Sequence, residues 1–179
     1  PLNHVYGFNF NISVNLYTGG SMVLVPVPSP DNLLAAILKN SPTIFAAVPA
    51  MIIGLINHPD IASADISSLK GMFCGSAPLA VETLKKFEEL TGGHIIEGYG
   101  LSETVNIITA NSFTNRKYGS CGLVWPDTYL LIVDAETGTK VMPRGEFGEI
   151  ISRGPQVISE YWQNPKETAM AVRDGWLYT

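Results

Sequence analysis

Alternation of short strand-type runs with helix-type segments is the feature that most constrains how this chain can fold. Compact apolar runs predict strands at residues 21–25, 43–48, 69–74, 94–97 and 106–110. Helical spacing of apolar side chains predicts helices between them at residues 31–39, 49–57 and 79–91. Because strands that are linked through helices usually pair in parallel, we expect an open, mostly parallel α/β sheet with helices on both faces.

Individual residues support the predicted helices. The first helix is expected to bury Leu34, Ile37 and Leu38 on one face. Pro49 suits the first turn of the second helix, because a helix needs no backbone donor at that position. Asn164 is placed to cap a short helix near the end of the chain. The proline and the capping asparagine thus lie where the apolar pattern places the start of a helix.

The pattern changes in the last third of the chain. Residues 129–133 and 147–152 are predicted to form antiparallel strands, connected through a turn at residues 134–138. We place a boundary near this change. Residues 1–125 are predicted to form the α/β subdomain, and residues 126–179 a second, antiparallel subdomain.

Charge makes a nucleic acid polymer an improbable partner. The formal net charge is -5, and the isoelectric point is about 5.1. The basic residues are scattered, and their only adjacent pairs are Lys85-Lys86 and Arg116-Lys117. Nothing therefore forms the basic stripe that would neutralise a phosphate backbone.

Cysteine and histidine positions do not predict a disulfide framework or a metal site. The two cysteines, Cys74 and Cys121, lie far apart among apolar or small residues, which indicates small core residues in a reducing compartment. His4, His58 and His94 share no ligand spacing with each other or with the cysteines.

The longest apolar run is too short to cross a bilayer. It extends over residues 44–56 and is broken by Pro49 and Gly54. A membrane-spanning helix needs about 20 apolar residues, so we predict none here.

One short turn, residues 97–104, concentrates the groups that can bind a ligand. The apolar pair Ile95-Ile96 before it indicates the end of a buried strand, where open α/β sheets bind ligands. Tyr99 offers a face for a flat base, Ser102 can bond a phosphate oxygen, and Glu103 can hold a magnesium ion. Taken alone, the turn fits a nucleotide site or a polar strand-to-loop turn with a serine cap equally well.

Five colinear segments carry a resemblance to a known family. They are Pro1-Leu2-Asn3-His4-Val5-Tyr6-Gly7, Gly75-Ser76-Ala77-Pro78-Leu79, the turn from Glu97 to Glu103, Gly119-Ser120-Cys121-Gly122, and residues 148–179. Together they resemble the adenylate-forming superfamily of acyl-CoA ligases, peptide-synthetase adenylation domains and luciferases. The chain is most similar to bacterial-type long-chain fatty acid–CoA ligases. Five matches in family order make a chance likeness improbable.

The resemblance implies a two-step reaction. A carboxylate attacks the α-phosphate of ATP to give an acyl-adenylate and pyrophosphate, and the thiol of coenzyme A then displaces AMP. Mg2+ is implied as the metal, and the later strands are implied to be part of a small antiparallel β-barrel. The chain is expected to be a middle piece of such an enzyme, inactive and prone to self-association by itself. A cytoplasmic location is implied, and peripheral membrane contact is compatible with a lipid substrate.

The resemblance also assigns site residues. Glu103 matches the magnesium-binding glutamate and, with Ser102, is expected to be catalytic. Ser102 stands where threonine is commoner, which keeps the hydroxyl. Residues matching the nucleotide-binding positions are Gly75, Ser76, Ala77, Pro78, Glu97, Gly98, Tyr99, Gly100 and Ser102. Tyr99 matches the adenine-stacking aromatic, and Glu97 lies where the adenine amine is met.

The acid substrate is predicted less specifically. His4 matches a histidine at the substrate end of the family's pocket, although without the likeness we interpret it as a strand-edge histidine. Val48, Met51 and Phe73 are candidates for an acyl pocket, and equally for an aryl-acid pocket or a core. A non-catalytic, nucleotide-sensing relative also remains open. A serine hydrolase is set aside, since Ser102 lacks the second glycine of a nucleophile elbow.

Overall fold

The computed structural model describes residues 1–179, which divide into two compact units. The first unit consists of residues 1–99 and 109–123, and the second of residues 100–108 and 124–179. The chain therefore leaves the first unit after residue 99, returns to it at residue 109 and leaves it again after residue 123.

The first unit contains a sheet and the helices around it. Its helices are α1 (Val5–Gly7), α2 (Val14–Thr18), α3 (Pro30–Asn40), α4 (Pro49–Ile56) and α5 (Val81–Thr91). A π-helical turn, Phe8–Ser13, joins α1 to α2. Its strands are β1 (Ile44–Ala47), β2 (Gly71–Cys74), β3 (Ile95–Tyr99) and β4 (Thr109–Ala110).

The sheet of the first unit is mostly parallel. Strands β1, β2 and β3 pair in parallel, while β4 runs antiparallel to β3. The sheet order is β1-β2-β3-β4-β5, where β5 is Leu123–Val124. Helices α4 and α5 connect the parallel strands, as the alternating pattern predicted. The predicted mixed α/β class is therefore confirmed.

Helical segments cover both faces of this sheet. On one face, α3, α4 and α5 contribute side chains such as Leu34, Ile52 and Phe87 to a core that includes Met72 of β2. Phe73, the next residue, points to the opposite face, where its ring lies 4.5 Å from that of Phe10. Successive side chains of β2 thus contact different helical layers: Met72 contacts the layer of α3, α4 and α5, and Phe73 contacts the layer that contains Phe10.

The strand predicted at residues 21–25 does not form. Met22, Val23 and Leu24 are exposed, and only Val25 packs against the core. The segment has an apolar composition but no neighbouring strand with which to form a ladder. An apolar run becomes a strand only where a partner takes up its backbone hydrogen bonds.

The buried face of α3 also differs from the prediction. Leu34 and Ile37 are buried as expected, but Leu38 is 48% exposed and Leu33 is buried in its place. The spacing of Leu34 and Leu38 fits a helical face equally well, so packing around the helix decides which leucine is covered. The buried face of α3 is therefore rotated about the helix axis, away from Leu38 and toward Leu33.

The second unit is built on an antiparallel sheet. Its elements are β6 (Tyr129–Val133), β7 (Glu149–Arg153), α6 (Pro165–Ala171), β8 (Val172–Arg173) and β9 (Trp176–Tyr178). The strand order is β6-β7-β9-β8, with antiparallel pairing throughout. The side chain of Asn164 caps α6 by accepting a hydrogen bond from the Glu167 N–H at 3.3 Å. The predicted antiparallel strands and the cap are present, while the division of domains at residue 125 stays a prediction.

No helix combines the length and the apolar character that crossing a bilayer requires.

We predict that two leucines of α3 differ strongly in their contribution to stability. Leu34→Ala should lower the free energy of unfolding by about 2–5 kcal/mol, because it leaves a cavity in the core. Leu38→Ala, on the same helix, should lower it by no more than about 1 kcal/mol. Urea denaturation of the chain, followed by circular dichroism, measures both. Equal losses would contradict the position of the buried stripe.

Candidate functional site

The end of β3 carries two predicted nucleotide-binding side chains on one side of the strand. Glu97 and Tyr99 are two residues apart, and both are partly buried. The Glu97 carboxylate accepts a hydrogen bond from the Leu79 N–H at 3.4 Å. Burial raises the pKa of Glu97, which favours the protonated form more than in water.

The neighbouring strand places a backbone strip beside these side chains. Cys74, the last residue of β2, pairs with Glu97 in the sheet register. The predicted strip from Gly75 to Pro78 follows directly, and Ser76 has a positive φ of 70°. A non-glycine residue in that conformation marks a constrained turn. The structure therefore brings the strip from Gly75 to Pro78 (the Gly75 strip) and the end of β3 to the same edge of the sheet. Cys74, which precedes the strip, is buried.

Tyr6 supports this edge from beneath, a role that the sequence analysis missed. Its hydroxyl donates to the Phe73 carbonyl at 2.9 Å, and the Ala47 carbonyl lies at 3.4 Å. A Cβ at Gly75 would lie 3.4 Å from the Tyr6 ring, so the glycine rests on that ring. Burial raises the pKa of Tyr6 and thus keeps its hydroxyl protonated. The only local signal was an aromatic residue within the His4 segment.

The second unit contains the remaining part of the predicted turn. Gly100 has no room for a side chain, because a Cβ there would lie 1.7 Å from the Asn106 carbonyl oxygen. A single 3₁₀ turn follows at Ser102–Thr104. Thr104 Oγ1 accepts from the Leu101 N–H at 2.9 Å and closes the turn. Ser102 is exposed, so its hydroxyl is accessible to a ligand.

Glu103 is partly buried on this turn and makes no salt bridge. Tyr161 donates its hydroxyl hydrogen to Glu103 Oε1 at 2.8 Å. The Ile158 N–H donates to the Glu103 carbonyl, also at 2.8 Å. The hydrogen bond to Glu103 raises the pKa of Tyr161, so the phenol stays a donor. The partner of the Glu103 carboxylate is therefore a neutral phenol, and no protein cation pairs with it.

This arrangement fits Mg2+ held jointly with a nucleotide. No group of three or more His, Cys, Asp or Glu side chains is gathered to enclose a metal. Mg2+ in nucleotide-dependent enzymes is usually held by one or two carboxylates together with substrate phosphates. A single carboxylate with unbalanced charge, such as that of Glu103, meets that requirement.

The structure gives the local setting of each of the four predicted acyl-pocket residues, and their grouping in one pocket stays a prediction. His4 is exposed and precedes α1, where its Nδ1 accepts from the Tyr6 N–H at 3.1 Å, so it is a helix cap and not a strand-edge residue. Val48 is the residue before α4, and Met51 packs against the core. Phe73 lies on the other face of the sheet, between the rings of Phe10 and Phe113.

Comparison with known proteins identifies the family. The model of the AMP-binding enzyme family matches residues 1–162. A long-chain-fatty-acid–CoA ligase of Bacillus subtilis (strain 168) is 44% identical over 180 aligned residues, which covers 100% of this chain and 32% of that protein.

Solved structures agree with this match. The ATP-bound structure of MatB from Rhodopseudomonas palustris superposes with a TM-score of 0.92 at 32% identity, covering 100% of this chain and 35% of MatB. The anthranilate CoA ligase AuaEII, in complex with anthranoyl-AMP, gives a TM-score of 0.93 at 29% identity, covering 99% of this chain and 34% of AuaEII. This chain thus spans about a third of the length of these relatives. It belongs to the AMP-binding enzyme family.

Proposed function

We propose that this chain is part of an AMP-forming ligase that joins a fatty acid to coenzyme A. In the first step a carboxylate oxygen of the acid bonds to the α-phosphorus of ATP, and pyrophosphate leaves. In the second step the coenzyme A thiol bonds to the acyl carbon, and AMP leaves with the electron pair. Such phosphoryl chemistry depends on positioning and charge stabilisation more than on a protein nucleophile.

The observation that carries this proposal is the unbalanced carboxylate of Glu103. It is partly buried and hydrogen-bonded to a neutral phenol, yet it has no cationic partner in the chain. A carboxylate without a protein cation beside it is available to a cation from outside the protein, and Mg2+ bound to ATP would supply one. Mg2+ would offset the charge of the departing pyrophosphate.

The remaining residues of the site would bind the nucleotide. The Tyr99 ring would stack on adenine, and the Gly75–Pro78 backbone would lie against the other face of the base. Glu97 would accept from the adenine amine, while Ser102 would donate to a phosphate oxygen. Gly98 and Gly100 would let the backbone approach closely, as the tight contact at Gly100 allows.

A fatty acid is the proposed substrate because of the 44% identity to the Bacillus enzyme. An aryl acid is the second candidate, favoured by the likeness to AuaEII, whose structure contains anthranoyl-AMP. His4, Val48, Met51 and Phe73 remain the proposed contacts for the acid. Pyrophosphate release by the full-length enzyme, measured with fatty acids of increasing length and with benzoic acids, separates the two. A preference for benzoic acids would reject the fatty-acid assignment.

A non-catalytic nucleotide sensor is a further alternative. It would bind ATP or AMP but would release no pyrophosphate with any carboxylic acid offered as a substrate. Glu103 argues against it, since a sensor that binds only adenine and ribose has no need of a carboxylate at the metal position. The pyrophosphate assay with a full set of acids distinguishes a sensor from a ligase.

We predict that Glu103→Gln in the full-length enzyme slows acyl-adenylate formation by roughly 100-fold, as expected on loss of one charge-stabilising group. AMP affinity should change little, because AMP lacks the pyrophosphate whose charge the metal offsets. Pyrophosphate release and calorimetry with AMP measure the two effects.

Glu136→Gln is the matched control for this variant. Glu136 is an exposed glutamate of the second unit, in the turn after β6, and should tolerate the same change without loss. An unchanged adenylation rate in Glu103→Gln at limiting Mg2+ would show that Glu103 does not hold the metal.

We also predict that Tyr99→Ala weakens ATP and AMP binding alike, by roughly 1–3 kcal/mol, as for other bases stacked on aromatic rings. Tyr99→Phe should bind nearly as well as the unaltered enzyme, because the ring is retained. Tyr17→Ala controls for loss of an aromatic ring, since Tyr17 is 92% exposed. If the Phe variant bound as poorly as the Ala variant, the hydroxyl would be the important group and the stacking assignment would be wrong.

A further inference from the structure

The hydroxyl of Tyr161 makes the one side-chain hydrogen bond observed for Glu103. The two residues are 58 positions apart in the chain, and the oxygen–oxygen distance is 2.8 Å. A hydrogen bond from a neutral donor to an ionised carboxylate is stronger than one between neutral groups. Tyr161 therefore restrains the rotation of the Glu103 side chain without neutralising its charge.

Tyr161 is itself held in place by the start of α6. Its backbone N–H donates to Thr168 Oγ1 at 2.9 Å. The Thr168 hydroxyl in turn donates to the Asn164 carbonyl at 2.8 Å, and the Asn164 N–H donates to the Tyr161 carbonyl at 3.1 Å. These three bonds form a closed set around the turn that carries Tyr161, so the backbone from which the phenol extends has a defined position.

The backbone of Glu103 is attached to the same segment. The Ile158 N–H donates to the Glu103 carbonyl at 2.8 Å. Residues 158 and 161 thus hold the main chain and the side chain of Glu103, respectively. A shift of this segment would move the carboxylate with it.

The charge of the hydrogen-bond donor matters for a carboxylate that is proposed to bind a metal ion. A lysine or arginine at the position of Tyr161 would also orient Glu103, but its charge would compete with Mg2+ for the carboxylate. A phenol uses Oε1 and leaves Oε2 and the net charge available. Groups that hydrogen-bond to metal ligands commonly change metal affinity by about 10–100-fold when removed.

On the basis of the proposed function, we propose that Tyr161 is a positioning residue, which fixes Glu103 through Oε1 and would leave Oε2 available to the magnesium ion of Mg·ATP. Tyr161 touches neither the metal nor the nucleotide in this role. Thr168 contributes by fixing Tyr161.

Calorimetry on the full-length enzyme tests this role. Tyr161→Phe should weaken Mg·ATP binding by about 10-fold, while AMP affinity and the thermal unfolding midpoint change little. Mg2+ added well above the ATP concentration should restore part of the lost affinity. A loss of general structural integrity would instead weaken Mg·ATP and AMP equally, and that result would overturn the proposal.

Two further variants make the test specific. Tyr178→Phe also removes a hydrogen-bonded phenol of the second unit, whose hydroxyl donates to the Gly138 carbonyl at 3.2 Å, and it should leave Mg·ATP binding unchanged. Thr168→Val should shift Mg·ATP affinity in the same direction as Tyr161→Phe, but less, since the phenol is retained. If Tyr161→Phe does not fold, Thr168→Val carries the test, and its failure to shift Mg·ATP affinity overturns the proposal.

Glu103→Gln separates failure of this inference from failure of the proposed function. In the Glu103→Gln background, Tyr161→Phe should add no further loss, because both changes act on one carboxylate. If Glu103→Gln weakens Mg·ATP binding but Tyr161→Phe does not, only the role of Tyr161 is rejected. If Glu103→Gln has no effect on Mg·ATP, the metal assignment in the proposed function is rejected.

Discussion

Parallel pairing of β1, β2 and β3 is the constraint on which the first unit depends. The register aligns Ala47 with Cys74 and Cys74 with Glu97, so the strands end at nearly the same level. Because parallel strands also point in one direction, the chain emerges from β2 and β3 at a common edge. That geometry, together with the core of α3, α4 and α5 behind it, places the Gly75 strip beside Glu97 and Tyr99. Tyr6 ties the edge together by bonding to the carbonyl of one strand and approaching that of the next.

Much of this fold could be predicted from the sequence, because each helix or strand is indicated by residues within it or next to it. The helices α3, α4 and α5 have a periodic apolar pattern with a proline or glycine at one end, and the strands β1, β2 and β3 are compact apolar runs. The prediction was wrong where a non-local partner decides the outcome. Residues 21–25 have strand composition but no neighbour to pair with, and Leu38 fits the helical period but is not covered by the core.

In the candidate site, too, groups that are adjacent in the sequence could be predicted, while contacts between distant residues could not. The polar run from Glu97 to Glu103 is contiguous, so its ligand-binding groups can be recognised in the sequence. Tyr6 and Tyr161 could not be recognised, since they act on atoms 67 and 58 positions away. Each is an aromatic residue that is partly buried through its ring, and its hydroxyl acquires a partner only in the folded chain.

The bond between Tyr161 and Glu103 has a consequence for the order in which the second unit assembles. Closing it joins the two ends of a 58-residue interval that contains the pairing of β6 with β7. Contacts across such an interval carry a loop-closure entropy, and we expect this bond to form after the pairing of β6 with β7 has shortened the effective loop. Thr168, which fixes Tyr161, lies still later in the chain. During synthesis on the ribosome, Glu103 therefore emerges well before the residues that orient it, and its carboxylate gains a fixed direction only after α6 has formed.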